Sequence, residues 1–150
     1  MSNDILEFIR LLNQKKVEYL VVGGWAVAFH GRPRYTKDID IFLNLTEENS
    51  LKILEVLHDF GFGELDITQR DLLTPGQIIQ LGFEPNRIDL LTSIPETIFE
   101  EAYKNRVIVT LKNTEIKFIG LDALIKNKQA AARDQDLVDV KFLLKARGKK

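Results

Sequence analysis

Cysteine is absent from this 150-residue chain, so disulfides and thiolate metal sites are excluded and a reducing compartment is the natural setting. Histidine is scarce, with only two copies. Neither His30 nor His58 has a partner at ligand spacing, so both are expected at the surface or at helix ends rather than on a metal. Long apolar runs are missing too. No stretch approaches the roughly 20 residues of a membrane-spanning helix, and the N-terminal MSNDILEFIRLL is too acidic and too briefly apolar for a signal peptide. A cytoplasmic protein with no membrane partner is expected. There is no excess of either charge: 21 basic against 22 acidic residues give a net charge of -1, which argues against a dedicated duplex-DNA binder. Repeats, low-complexity tracts and linker-like stretches are also lacking, so one domain is expected over 1–150.

The residues that are present read as an ordinary globular chain, 45% hydrophobic and 29% charged, able to bury a core. Ile5, Phe8, Ile9 and Leu12 share one face of an amphipathic helix over 4–14. VEYLVV (17–22) reads as a buried strand, broken by Gly23-Gly24, and WAVAFH as a short helix closed by Gly31. RPRYT is a loop, and DIDIFLN (38–44) an alternating strand. Thr46 caps a helix over 47–60 whose Leu51, Leu54 and Leu57 are expected to face inward before Gly61 ends it.

Signals over 62–76 are mixed. IIQLGF (78–83) and RIDLLT (87–92) read as paired strands around Glu84-Pro85-Asn86, and a short helix is expected near 96–103. RVIVTL (106–111) and EIKFIG (115–120) form a second hairpin, turned by Asn113. Two helices, 121–131 and 134–146, close the chain as a C-terminal pair burying Leu121, Leu124, Ile125, Leu137, Val140 and Leu144. The fold class is α/β (α+β): a mixed sheet flanked by helices.

Two features carry chemistry. Alternation along a strand puts Asp38 and Asp40 on one face and Ile39 and Ile41 on the other. Two carboxylates so spaced can converge on hard cations, although a wet edge strand gives the same pattern. Gly23-Gly24 follows a buried strand and opens a helix. There backbone amides and the helix dipole can hold a phosphate that a Cβ would obstruct, and a plain tight turn is the alternative. Together, with residues 25–37 between them, the two features are far more specific than either alone.

VVGGWAVAFHGRPRYTKDIDIFL resembles the signature of the DNA polymerase beta-like nucleotidyltransferase superfamily: a hydrophobic-Gly-Gly turn, a spacer, then Asp-hydrophobic-Asp-hydrophobic. The context from Arg34 to Asp38 is similar to a small bacterial branch related to abortive-infection nucleotidyltransferase toxins. The resemblance implies a polymerase-beta-type fold with Asp38 and Asp40 as metal ligands. It also implies a third carboxylate on a nearby strand, both metal ligand and base, which Asp89 in RIDLL matches. LDALIKNKQAAARDQDLVDVKFL resembles the family's closing segment, which implies Lys128 against a triphosphate and Asp136 orienting it, with Arg133 nearby. Gly23, Gly24, Arg34 and Lys37 complete the implied nucleotide site. Arg32 is expected as a water-exposed loop charge, Thr36 as loop support and Trp25 as core.

The implied reaction moves an NMP from an NTP to an acceptor hydroxyl with release of pyrophosphate, assisted by two Mg²⁺ or Mn²⁺ ions. A catalytically silent nucleotide-binding or protein-interaction module of the same fold is the alternative. The acceptor and base preference are not legible, although 62–80 is placed to line an acceptor pocket. A toxin with an antitoxin partner, an antibiotic-modifying enzyme, and a homodimer whose second subunit completes the acceptor site all remain open.

Overall fold

The buried strand Tyr19–Val22 (β1) sets the architecture, because apolar side chains on both faces force helices or neighbouring strands to cover it. The computed structural model describes residues 1–34 and 36–148; Tyr35, in the expected RPRYT loop, lies outside them. The first helix, α1, spans Asn3–Gln14, starts on the Ser2 hydroxyl and buries Ile5, Leu6, Phe8, Ile9 and Leu12. After β1, α2 spans Gly23–His30, so both glycines form its first turn rather than a break before it. The second strand, β2, is Ile39–Leu43, leaving Asp38 in the bend just ahead of it. Helix α3 covers Glu47–Leu57, with Thr46 accepting from the Asn49 amide at its start. A wide turn over His58–Phe62 follows, in which Gly61 has φ 101°.

The mixed stretch contains a short helix, α4 (Gln69–Leu73), held by a reciprocal capping box between Thr68 and Asp71. Strands β3 (Ile78–Leu81) and β4 (Ile88–Leu91) form the first expected hairpin. Helix α5, Phe99–Lys104, starts later than expected. Strands β5 (Val107–Leu111) and β6 (Thr114–Phe118) form the second hairpin. Its two-residue turn is Lys112-Asn113, with φ 49° and 61°, the left-handed pair that matches strand twist. Helices α6 (Leu121–Ala131) and α7 (Asp134–Gly148) end the chain.

The six strands form one mixed sheet in the order β3-β4-β2-β1-β6-β5. β1 runs antiparallel to β2 and parallel to β6, while β2 runs parallel to β4. One apolar core joins α1, the central strands, α3 and the C-terminal helices. Among the described residues no helix is long and apolar enough to cross a membrane.

Two helix faces differ from expectation, for one physical reason. In α3, Leu51 is 52% exposed and the buried face is Asn49, Ser50, Ile53, Val56 and Leu57. The Asn49 amide bonds the Glu18 backbone N–H at 2.7 Å and the Glu18 and Asn44 carbonyls at 3.0 Å, and so turns that side inward. Of the expected leucines only Leu57 is fully buried, with Leu54 packed at the core's margin. In α7, Leu137 is 47% exposed and Leu144 38%, while Asp136, Asp139, Val140 and Leu143 are buried. Polar anchoring, not apolar spacing, sets both rotations. His30 ends α2 as expected but is buried, its ring Nε2 2.6 Å from the Ile119 carbonyl oxygen.

Candidate active site

Sheet register assembles the site. Val22 pairs with Asp40, Asp40 with Asp89, and Asp89 with Gln80, so four strands contribute one row. Asp40 and Asp89 are thus direct neighbours on adjacent strands, separated by about the 4.8 Å interstrand spacing. Like charges so placed repel, and Lys128 and Arg87 offset that repulsion. Gly23, at φ 64°, lies against this row, and a Cβ there would run into the Asp40 carboxylate. Glycine is therefore required twice, by the left-handed backbone and by the contact. A Cβ on Gly24 would meet Thr36 at 3.0 Å, so Thr36 supports the turn from the loop side.

Asp38, Asp40 and Asp89 line one cavity of about 370 Å³, together with Arg34, Thr36, Lys37 and Arg87. Asp38 is oriented by the Arg87 backbone N–H, which donates to its Oδ1 at 3.0 Å. The Arg87 guanidinium donates to both oxygens of Asp89, at 2.8 and 3.2 Å, and lies 3.6 Å from Asp38 Oδ2. Among the described residues no three acidic or histidine side chains close on a single ion position; Arg87 stands between two of the carboxylates as their counter-charge. Burial pushes the Asp40 carboxyl up to about 6, aided by the Asp89 charge and opposed by Lys128 and Arg87. Arg87 and Lys128 are the cations that act on the cluster. Oxygen-only donors fit Mg²⁺ or Mn²⁺, and disfavour zinc or copper.

A buried ionic layer backs the carboxylates. Lys128, on α6, reaches Asp136 at 2.9 Å and Asp139 at 3.5 Å, both on α7. Arg133 bonds Asp136 through its backbone N–H at 3.2 Å and its Nε at 2.7 Å. Asp139 is fully buried and receives Arg32 at 2.6 Å and Arg34 at 3.1 Å. Arg32 is therefore a structural ion-pair partner rather than the water-exposed loop charge expected. Its loop is tied to α7 through Asp139, which sequence reasoning missed. The available signal was the three-residue step from Asp136 to Asp139, which places both on one helical face.

Burial alone would raise the Asp136 carboxyl, but hydrogen bonds from Arg133 and Lys128 outweigh it and hold the group at about 2. A depressed carboxyl stabilises the fold above its ordinary value of 3.8 and loses that contribution as pH falls toward 2. Asp136→Asn should therefore cost about 2 kcal/mol at pH 7 through this ionisation. Denaturant melts should show the gap to wild type closing between pH 4 and 2.

A second cavity of about 500 Å³ shares Asp40 and Asp89 with the first. Its lining combines Gly23, Lys128, Arg133 and Asp136 with the apolar Ile78, Leu91, Ile94 and Pro95. Gly76, Ile78 and Gln80 line it too, and all three belong to the 62–80 stretch. The structure thus gathers the three acidic residues, Gly23, Lys128 and Asp136 around two cavities that share Asp40 and Asp89. Arg34 and Lys37 stand at the first cavity, with the Arg34 guanidinium turned to Asp139.

The family model described as "Nucleotidyl transferase of unknown function (DUF2204)" matches residues 1–148. No curated protein sequence matches the chain. Among solved structures the chain is similar to the lincosamide antibiotic adenylyltransferase LnuA with lincomycin bound, at 20% identity and TM-score 0.62, covering 97% of this chain and 98% of that one. It is also similar to ANT(2")-Ia in complex with adenylyl-2"-tobramycin, at 15% identity and TM-score 0.59, over 97% of this chain and 88% of that one. An antigenic nucleotidyltransferase-like protein from Paracoccidioides brasiliensis aligns at 10% identity and TM-score 0.56, over 95% and 72%. At these identities the structural likeness shows the shared fold.

Proposed function

The chain belongs to the DUF2204 nucleotidyl transferase family, and from that premise we propose that it moves an NMP from an NTP to an acceptor hydroxyl, with Asp38, Asp40 and Asp89 at the reacting centre. The observation that carries this reading is the direct pairing of Asp40 with Asp89 across β2 and β4, with Gly23 pressed against Asp40. Two like charges are held side by side, at a cost to the fold, where a phosphate can approach the backbone.

In this reading Asp38, Asp40 and Asp89 hold the divalent cations. Bound there, such cations neutralise the triphosphate and lower the pKa of the attacking hydroxyl. Asp89 accepts the proton of the acceptor hydroxyl as its oxygen bonds to the α-phosphorus. The α–β phosphoanhydride bond then breaks, and pyrophosphate departs. Gly23 and Gly24, at the start of α2, offer backbone amides to the phosphates. Lys128 adds a point charge to the same space, positioned by Asp136 and Asp139. Arg34 and Lys37 face the triphosphate from the loop. The acceptor, whether small molecule, RNA or protein, presents its hydroxyl beside Asp89 from the cavity that Ile78, Leu91 and Ile94 help to line.

The direct test incubates the chain with each α-³²P-labelled NTP and Mg²⁺ or Mn²⁺, with cell RNA, protein and small-metabolite fractions as acceptors. Label moving into one fraction is expected. Metal-dependent NTP binding without transfer into any fraction would favour the binding-module alternative, and absence of NTP binding would remove the nucleotide site altogether.

A further inference from the structure

Arg87 holds more of the acidic cluster than any other side chain at the site. It grips Asp89 with two parallel hydrogen bonds and lies 3.6 Å from Asp38. Both Asp89 oxygens, and the Asp38 oxygen not taken by the Arg87 backbone, therefore face one guanidinium. Those are the oxygens that would bind a divalent cation, and a lone pair directed at a guanidinium N–H is not available to a metal. The same side chain already has a second seat. Its NH1 lies 3.6 Å from Glu84 Oε1, and Glu84 is 66% exposed on the turn between β3 and β4.

We propose that Arg87 is a built-in counter-cation of the site: it holds Asp38 and Asp89 together in the metal-free chain, competes with divalent cations for them, and moves to Glu84 when those cations bind. This rests on the reading of Asp38 and Asp89 as metal ligands. Three carboxylates left to themselves in one cavity would repel and splay, so a resident cation keeps them preorganised. The guanidinium does this without closing the site, because a bidentate pair at a partly exposed position is exchangeable. Two features make the motion local. The backbone N–H that orients Asp38 is not part of the side chain and stays in place. The swing toward Glu84 needs only side-chain torsions, because both residues flank one turn. Metal entry then frees the guanidinium at the cavity rim, so Arg87 is a positioning residue that acts through the carboxylates.

Competition for one pair of ligands predicts the sign of a substitution. In Arg87→Met the carboxylates are no longer occupied, and the apparent affinity for Mn²⁺ should rise about tenfold, as expected when a competing state populated to roughly 90% is removed. Free Mn²⁺ would be followed by electron paramagnetic resonance during titration. Arg87→Lys, which keeps the charge but not the fork, should fall between the two. Melting temperature separates this role from a static brace. Arg87→Met should melt below wild type in EDTA, and the deficit should vanish in saturating Mn²⁺. Mn²⁺ binding that is unchanged or weaker in both variants would overturn the proposal, as would a deficit that persists with Mn²⁺ bound. If wild type and variants all bind Mn²⁺ equally, the carboxylates remain metal ligands and only the role of Arg87 falls. If none of them binds Mn²⁺, both readings fall together.

Discussion

Asp40→Asn should lose at least about a thousandfold in NMP transfer, the scale expected when a charge essential to phosphoryl chemistry is removed from a preorganised site, while folding at least as stably as wild type. The two halves of this result come from the same geometry. Asp40 sits in the middle of the row, between Val22 and Asp89, with Gly23 against it. Its charge is disfavoured first by burial and then by Asp89, which is why its carboxyl is pushed up to about 6. An amide of the same shape removes that repulsion and leaves the Gly23 contact intact. In EDTA at pH 8 the variant should therefore melt at or above the wild-type temperature, with an unchanged circular dichroism spectrum. Lost transfer together with retained or raised stability is the pattern of a residue kept for function at the expense of the fold. Transfer surviving within tenfold of wild type would remove Asp40 from the reacting centre. A large drop in melting temperature would mean that its role is structural.

The parts of this molecule that were legible in the sequence are those fixed by local chemistry. The apolar run Tyr19–Val22 ended by Gly23-Gly24, and the Asp-Ile-Asp-Ile alternation, gave β1, the α2 turn and β2. Two hairpins followed from their turn residues. What pairs with what was not local. The adjacency of Asp40 and Asp89 depends on β2 and β4 lying parallel and in register, with Asp38 displaced into the bend ahead of the strand. Arg87 drew no assignment, because nothing in RIDLL says that the arginine folds back onto the carboxylate two residues later. The amphipathic faces of α3 and α7 were misread where a polar side chain does the anchoring. Asn49 satisfies three backbone groups, and Asp139 satisfies three cations. A rule that sends leucines inward overlooks polar groups that are buried because their partners are already there.

Asp139→Asn should cause the largest loss of stability of any single substitution in the site, about 3–5 kcal/mol, the usual consequence of removing one partner from a buried ionic cluster. Asp139 is fully buried, and Arg32, Arg34 and Lys128 converge on it from the loop before β2 and from α6. Neutralising it leaves three cations with Asp136 as the remaining carboxylate in that layer, and Asp136 is already shared between Lys128 and Arg133. Arg32 and Arg34 lose the carboxylate they share, and Lys128, only 7% exposed at its side chain, keeps Asp136 alone, so these partly or fully desolvated cations bear the penalty. Urea melts should show a lower midpoint with an unchanged slope, because the surface exposed on unfolding is the same. Adding Arg32→Met should recover part of the loss, since it removes one uncompensated charge while keeping an apolar stem against Phe142, over whose ring the guanidinium lies at 4.9 Å. The catalytic consequence follows from what Asp139 holds. With Arg34 released from its anchor and Lys128 held by Asp136 alone, NTP binding should weaken at temperatures where the variant is still folded, while the carboxylates of the sheet row keep their register. A rise in KM for the NTP with a smaller fall in kcat would separate this anchoring role from that of Asp40, whose loss acts on the transfer step itself. An Asp139→Asn protein that melts within about 1 kcal/mol of wild type would mean that the three cations find other partners, and that the layer beneath the carboxylates does not hold them in place.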